Sequence, residues 1–164
     1  MKPIDPTTQS ARPTRLLHTM LRVSDLGRSV QFYTEQLGMR LHRQERYPAG
    51  RFTLAFLGYE DECTAACIEL THNWDQPDYQ HGTAYGHIAL AVVNVAESCA
   101  SLQAAGVAVL RPAGPMAVSS PDRSAPEHIA FIQDPDGYRI ELVQQSTPAT
   151  PQAPKETSTC PSYA

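Results

Sequence analysis

The chain has no surplus of positive charge, no long apolar run and no paired-cysteine motif. Each absence excludes a class of function. Thirteen Lys and Arg stand against seventeen Asp and Glu, for a formal net charge of −4. The basic residues are scattered, so no stripe exists to neutralise phosphates, and a nucleic-acid partner is not expected. No apolar run approaches the ~20 residues that span a bilayer. The start, MKPIDPTTQS, lacks the apolar core of a secretory signal. The expectation is a cytoplasmic protein with no membrane partner. The four cysteines, Cys63, Cys67, Cys99 and Cys160, form no CxxC pair. They are read as free thiols. Apolar residues make up only 41% of the chain. The shortfall lies in residues 1–15 and 146–164, rich in Pro, Thr, Ser and Gln and expected to be disordered. Residues 16–145 remain as the globular unit, a length that suits one domain or two small halves sharing a core.

That unit repeats itself. The stretch from Leu17 reads as a strand running into a helix, and so does the stretch from Gly86. Laid together, His18 falls on His87, Val23 on Val92, Asp25 on Asn94 and Ser29 on Ser98, each pair 69 residues apart (87 − 18 = 69). Asp25 and Asn94 are good N-cap residues, and Glu97 follows Asn94 as in a capping box. Leu26, Val30, Tyr33 and Leu37 share one helical face, as do Val95, Cys99 and Leu102. Gly38 and Gly106 stand where a left-handed stop is expected. Three β-like runs follow each helix: 40–44, 52–57 and 66–70 in the first half, 108–111, 129–133 and 138–143 in the second. DPDG, at 134–137, is strong turn chemistry. Each half therefore predicts βαβββ. The fold class expected is α+β, with two tandem modules of curved mixed sheet at about 16–72 and 86–145.

Each module offers one His at its first strand and one Glu at its last: His18 with Glu69, and His87 with Glu141. The last strands carry parallel phrases, CIEL and RIEL. Alternation puts each Glu on the face opposite its Ile and Leu neighbours. A lone His on an apolar strand is more often a core residue, and a lone Glu there more often faces solvent. Four at matched positions in a duplicated unit point elsewhere. Two imidazoles and two carboxylates buried together need a compensating cation. Two N and two O ligands suit zinc, or octahedral nickel, cobalt or iron with water positions open. A Glu beside such an ion can act as a general base while the ion serves as a Lewis acid. His42, His72, His81 and His128 have no repeat partner and are read as surface or loop residues. Trp74 is read as packing beside the site or an interface.

The phrases LLHTMLRV, FYTEQLGM, IELTHNW, GTAYGHIALAV, AFIQDPDGY and RIELV resemble glyoxalase I of the vicinal oxygen chelate superfamily, over about residues 16–145. The resemblance implies a homodimer with a metal between subunits. His18 and Glu69 would come from one chain, and His87 and Glu141 from the other. It implies isomerisation of the hemithioacetal of methylglyoxal and glutathione to S-lactoylglutathione, through an enediolate. Glu141 would be the principal base, with Glu69 assisting or serving the opposite enantiomer. Arg22 matches an arginine that pairs with a glutathione carboxylate, which suits a forked cation. Asn73 matches a glutathione-binding asparagine, and Arg111 sits where a basic contact is expected. Eukaryotic zinc-type members have Gln at the first ligand and tend to carry an insertion before the IEL strand. His18 and the compact stretch 57–69 resemble instead the bacterial class activated by Ni²⁺ or Co²⁺ rather than Zn²⁺. The alternative within the superfamily is a ring-cleaving dioxygenase or a thiol transferase of antibiotic resistance, which use two His and one Glu. The acidic residue at position 69 favours the isomerase.

Overall fold

Asp25 and Asn94, each in an extended conformation, begin the two helices of the computed structural model, which describes residues 12–118, 120–122 and 124–145. Expectations for 1–11 and 146–164 concern residues outside that set. Asp25 Oδ1 accepts the Arg28 amide at 3.0 Å. Asn94 Oδ1 accepts those of Ala96 and Glu97. Each cap satisfies amides that a first turn leaves unpaired.

The first module runs β1 (His18–Arg22), α1 (Leu26–Gln31), β2 (Arg40–Tyr47), β3 (Phe52–Gly58) and β4 (Cys67–Asn73). Its sheet has the order β1-β4-β3-β2, with β1 and β4 parallel and the other pairs antiparallel. The second module repeats this with β5 (Ile88–Val92), α2 (Val95–Ala104), β6 (Ala108–Pro115), β7 (His128–Gln133) and β8 (Arg139–Gln144), in the order β5-β8-β7-β6. The α+β class and the paired βαβββ modules are as the sequence indicates.

The differences are local. The first helix is not α-helical to its end. Phe32–Gln36 form a π-helical turn, whose wider circuit carries the adjacent Phe32 and Tyr33 both into the core. Gly38 and Gly106 follow the two helices at φ 71° and 87°, the conformation that a Cβ disfavours. Strands β2 and β6 are longer than the sequence suggests, and both are bulged edge strands. An edge also explains why β6 tolerates Pro112, which has no amide to donate. His42, His72 and His128 lie on β2, β4 and β7 rather than in loops; only His81 is in one. His42 falls at the β2 bulge, with its buried Nε2 unpartnered. Cys67 and Cys99 are free, as expected, and both are buried.

One apolar core joins the modules, from Leu21, Tyr33, Leu57 and Leu70 to Ile132, Ile140 and Leu142. Fully burying such a side chain contributes about 1.5–3 kcal/mol. In β4 the core takes Ile68 and Leu70, and in β8 Ile140 and Leu142. Glu69 and Glu141, between them, are thereby turned to the opposite face.

Candidate active site

Parallel pairing fixes where each His meets its Glu. In the β1–β4 register His18 lies opposite Cys67, two residues before Glu69. Two residues is one pleat period, so imidazole and carboxylate share a face. His18 Nε2 sits 3.0 Å from Glu69 Oε2. In the second module Ile88 lies opposite Ile140. His87 just precedes Ile88, with the same offset to Glu141, and its Nε2 is 3.1 Å from Glu141 Oε2. The carboxylate side chains are sunk, 13% and 15% exposed, while the imidazoles are open, at 39% and 40%.

A phenylalanine completes each pair. Phe56 is the register partner of Glu69, and Phe131 that of Glu141. The rings of His18 and Phe56 meet edge to face at 5.8 Å, and those of His87 and Phe131 at 5.3 Å. The two modules thus present the same His–Glu–Phe unit, with the apolar ring limiting water on one side of the carboxylate.

One difference breaks the symmetry. Thr71 Oγ1 donates to Glu69 Oε1 at 3.0 Å, so both oxygens of Glu69 are engaged. The corresponding residue two beyond Glu141 is Val143, which has nothing to donate. Glu141 is held by the weaker set of contacts.

Among the described residues, no group of three or more His, Cys, Asp or Glu gathers as a metal site. The two His–Glu units therefore do not converge within one chain. As a donor set they fit a divalent ion, two imidazole nitrogens and two carboxylates, but each module supplies half.

Arg22 ends β1 on the His18 face and lines a cavity of about 520 Å³ together with Asn73, Arg51 and Tyr79. Asn73 is the last residue of β4 and donates to Tyr79 Oη at 3.0 Å. Arg51 and Asp75 form an ion pair at its rim. Two of the three residues read as thiol contacts are thus brought together. Arg111 is not among them: it lies on β6 and donates to the carbonyls of Ile129 (3.1 Å) and Pro115 (2.6 Å). Trp74 donates to Thr53 Oγ1 at 2.9 Å beneath the Arg46 and Arg51 guanidinium groups.

A second hollow, about 570 Å³, opens beside His18 between Tyr47, Leu54 and Phe56, with Arg43 at its wall. Arg43 lies 3.5 Å over the Phe56 ring and bonds Glu62 at 3.0 Å. Cys67 also lines it, but burial, helped by the Glu62 carboxylate, raises its pKa. It is held as a thiol rather than as a nucleophilic thiolate.

Phe56, Phe131 and Thr71 were not singled out from the sequence. The repeat held a signal for the aromatics: AFL (55–57) and AFI (130–132) are the same phrase. Thr71 carries no such mark, because its effect depends on the rotamer of Glu69.

Residues 15–142 match the family model described as Glyoxalase/Bleomycin resistance protein/Dioxygenase superfamily. A lactoylglutathione lyase of Neisseria meningitidis serogroup A is 50% identical over 133 residues, 81% of this chain and 92% of that protein. One from Escherichia coli O157:H7 is 51% identical over 131 residues, 80% and 93% of the respective chains. Among solved structures, a trypanothione-dependent glyoxalase I of Leishmania major is 42% identical with a TM-score of 0.68, covering 80% of this chain and 87% of that one. Glyoxalase I from Zea mays is 39% identical with a TM-score of 0.72, covering 80% of this chain. The present chain spans 45% of that longer protein.

Proposed function

This chain belongs to the Glyoxalase/Bleomycin resistance protein/Dioxygenase superfamily, and we propose that it acts as a lactoylglutathione lyase, converting the methylglyoxal–glutathione hemithioacetal to S-lactoylglutathione. The observation that carries the reading is the duplicated His–Glu–Phe unit, halved within each chain. Residues 16–145 form the catalytic unit. Two copies complete the site, His18 and Glu69 of one facing His87 and Glu141 of the other. A two-fold assembly makes two such sites at once.

A divalent ion held by these four residues would supply Lewis acidity to the negative charge that develops on the substrate oxygens. We favour nickel or cobalt over zinc, because a second imidazole stands at position 18. The chain's own groups do the rest. Glu141, untethered at its second oxygen, removes the proton from the sulfur-bearing carbon and returns it to the neighbouring carbon. With the hydroxyl proton passing from the oxygen of the first carbon to that of the second, this transfer turns an α-hydroxy thioether ketone into an α-hydroxy thioester with no net gain or loss of atoms. Glu69, fixed by Thr71, keeps its place as a ligand. Phe56 and Phe131 keep water from the carboxylates. Arg22 and Asn73 hold the thiol, the guanidinium pairing with a carboxylate of glutathione. Arg111 contributes from the partner's side if it releases its own strand's carbonyls. No helix among the described residues is long and apolar enough to cross a membrane. A cytoplasmic location goes with the reading, and cell fractionation tests it.

The test is thioester formation followed at about 240 nm by metal-stripped protein given methylglyoxal, glutathione and Ni²⁺, Co²⁺ or Zn²⁺ in turn. Growth with nickel or cobalt and little with zinc supports the full reading. Growth with zinc alone keeps the reaction and overturns the metal assignment. No growth with any ion overturns the function.

A further inference from the structure

The DPDG turn, unused by the chemistry above, is bonded across the chain to the other module. Asp136 Oδ1 accepts from the Ser24 amide at 2.8 Å, the Ser24 hydroxyl at 2.5 Å and Arg28 at 3.1 Å, and Oδ2 accepts from the Ser29 hydroxyl at 2.7 Å. Tyr33 donates to Asp134 Oδ2 at 2.9 Å. Asp134 Oδ1 in turn accepts the amides of Asp136 (3.0 Å) and Tyr138 (2.7 Å). Tyr138 ends the turn and reaches β1: its hydroxyl accepts from the Arg22 amide at 3.1 Å and donates to the Arg22 carbonyl at 3.0 Å. It is buried, and His81 stacks on its ring at 4.1 Å.

Arg22 is the last residue of β1, and the pairing to β4 continues just beyond it through Val23 N to Thr71 O at 3.0 Å. The Arg22 amide and carbonyl are both clamped by one phenol from the second module. Ser24, two residues on, is clamped by Asp136. Nothing in the first module alone requires these bonds. The turn leads straight into β8, the strand that carries Glu141.

We infer that the turn 134–138 is a cross-module latch that sets the backbone of Arg22, and that Tyr138 is a positioning residue for carboxylate recognition of the thiol. The inference rests on the reading of Arg22 given above. Tyr138 does not touch the reacting atoms. It fixes the origin of a long side chain whose fork must meet a carboxylate within hydrogen-bond range, and small displacements of such groups weaken binding strongly.

The test is Tyr138→Phe, which keeps the ring and its stacking on His81 and removes only the hydroxyl. KM for the glutathione hemithioacetal should rise about five- to tenfold, the loss of roughly one well-formed hydrogen-bonded constraint, with kcat within about twofold. Tyr138→Phe placed in an Arg22→Ala background should add little to the KM of Arg22→Ala alone. The hemithioacetal made with glutathione diethyl ester, which lacks both carboxylates, should show no KM change in Tyr138→Phe. Asp136→Asn, which keeps the shape of the turn, provides a second variant with the same expected pattern. An additive KM effect in the double variant, an equal KM rise with the diester, or no KM change in either single variant overturns the latch. If Arg22→Ala itself leaves KM unchanged, the substrate role of Arg22 fails first and the inference falls with it. A large Arg22→Ala effect beside a silent Tyr138→Phe leaves the substrate role standing and refutes only the latch.

Discussion

Inactive chains that repair each other would be the strongest sign that a site is shared between copies. Consider His18→Ala, which damages the first module, and Glu141→Gln, which damages the second. Each variant alone forms assemblies in which every site carries the lesion, so each should be nearly inert. Mixed by co-expression or joint refolding, about half the two-fold assemblies combine one chain of each kind. In such a hybrid, one site draws His18 and Glu69 from the Glu141→Gln chain. It draws His87 and Glu141 from the His18→Ala chain, so all four residues are native. The other site carries both lesions. Half the assemblies with one good site of two gives about a quarter of wild-type turnover in the mixture. Hybrids isolated with two affinity tags should reach about half. The 240 nm assay reads both figures. The structural basis is that each His–Glu unit forms within its own sheet, at 3.0 and 3.1 Å, while the two units do not meet in one chain. A mixture no more active than the parents' average would refute the shared site.

Further outcomes follow from single residues. Val143→Thr gives Glu141 the tether that Thr71 gives Glu69, so kcat should fall about five- to tenfold at unchanged metal content, the cost of freeing one charge-assisted hydrogen bond; single-turnover kinetics with metal analysis check it. Tyr33→Phe removes the donor to Asp134 Oδ2 in the core and should cost about 1.5–3 kcal/mol, lowering Tm by roughly 5–10 °C at fixed protein concentration. For Asp136, burial works against ionisation. The Ser24 and Ser29 hydrogen bonds and the Arg28 charge more than offset it, leaving the carboxyl below its ordinary pKa. Such a group stabilises the fold fully above its unfolded value near about 4 and loses that contribution as pH falls through the lower folded value. Asp136→Asn should therefore lower Tm at pH 7, with the gap to wild type closing as pH falls below the ordinary carboxylate range; a gap constant with pH would contradict this. Stripping the metal with a chelator should lower Tm in a way that added Ni²⁺ reverses, since a ligand bound only by the folded state adds stability in proportion to the logarithm of its concentration over Kd.

Much of the fold could be read because duplication doubles every local signal. Capping at Asp25 and Asn94, stops at Gly38 and Gly106, and the CIEL and RIEL strands each appear twice, and each falls in place. What escaped was set by tertiary packing. The π-helical turn answers to two adjacent aromatics that both enter the core, which no helical period expresses. The extensions of β2 and β6 depend on their being edges, a property of sheet order rather than of composition. Arg111 was legible as a cation but not as one spent on the carbonyls of Ile129 and Pro115. The cross-module bonds of Asp134, Asp136 and Tyr138 were hidden for a different reason. DPDG reads as a complete local turn, and its partners Ser24, Ser29 and Tyr33 lie more than a hundred residues away, 107 in the case of Ser29.

Duplication also sets a problem for the proposed reaction. Two equal modules supply two equal carboxylates, and proton transfer between neighbouring carbons then has two equivalent bases. Burial does not separate them, since the side chains are 13% and 15% exposed. The register does not either, since each Glu faces a Phe across its sheet. The distinction comes from the residue two positions on. The Thr71 hydroxyl donates to Glu69. Val143 at the equivalent place offers Glu141 no such hydrogen bond, which in the proposed mechanism lets it serve as base. This difference in hydrogen bonding supports the proposed assignment of Glu141 as base. It follows that the paired exchange Thr71→Val with Val143→Thr should shift the base role toward Glu69. In that variant Glu69→Gln, rather than Glu141→Gln, should be the more damaging substitution. Equal damage from the two in the exchanged background, or an undiminished penalty at Glu141, would show that the hydroxyl does not make the choice.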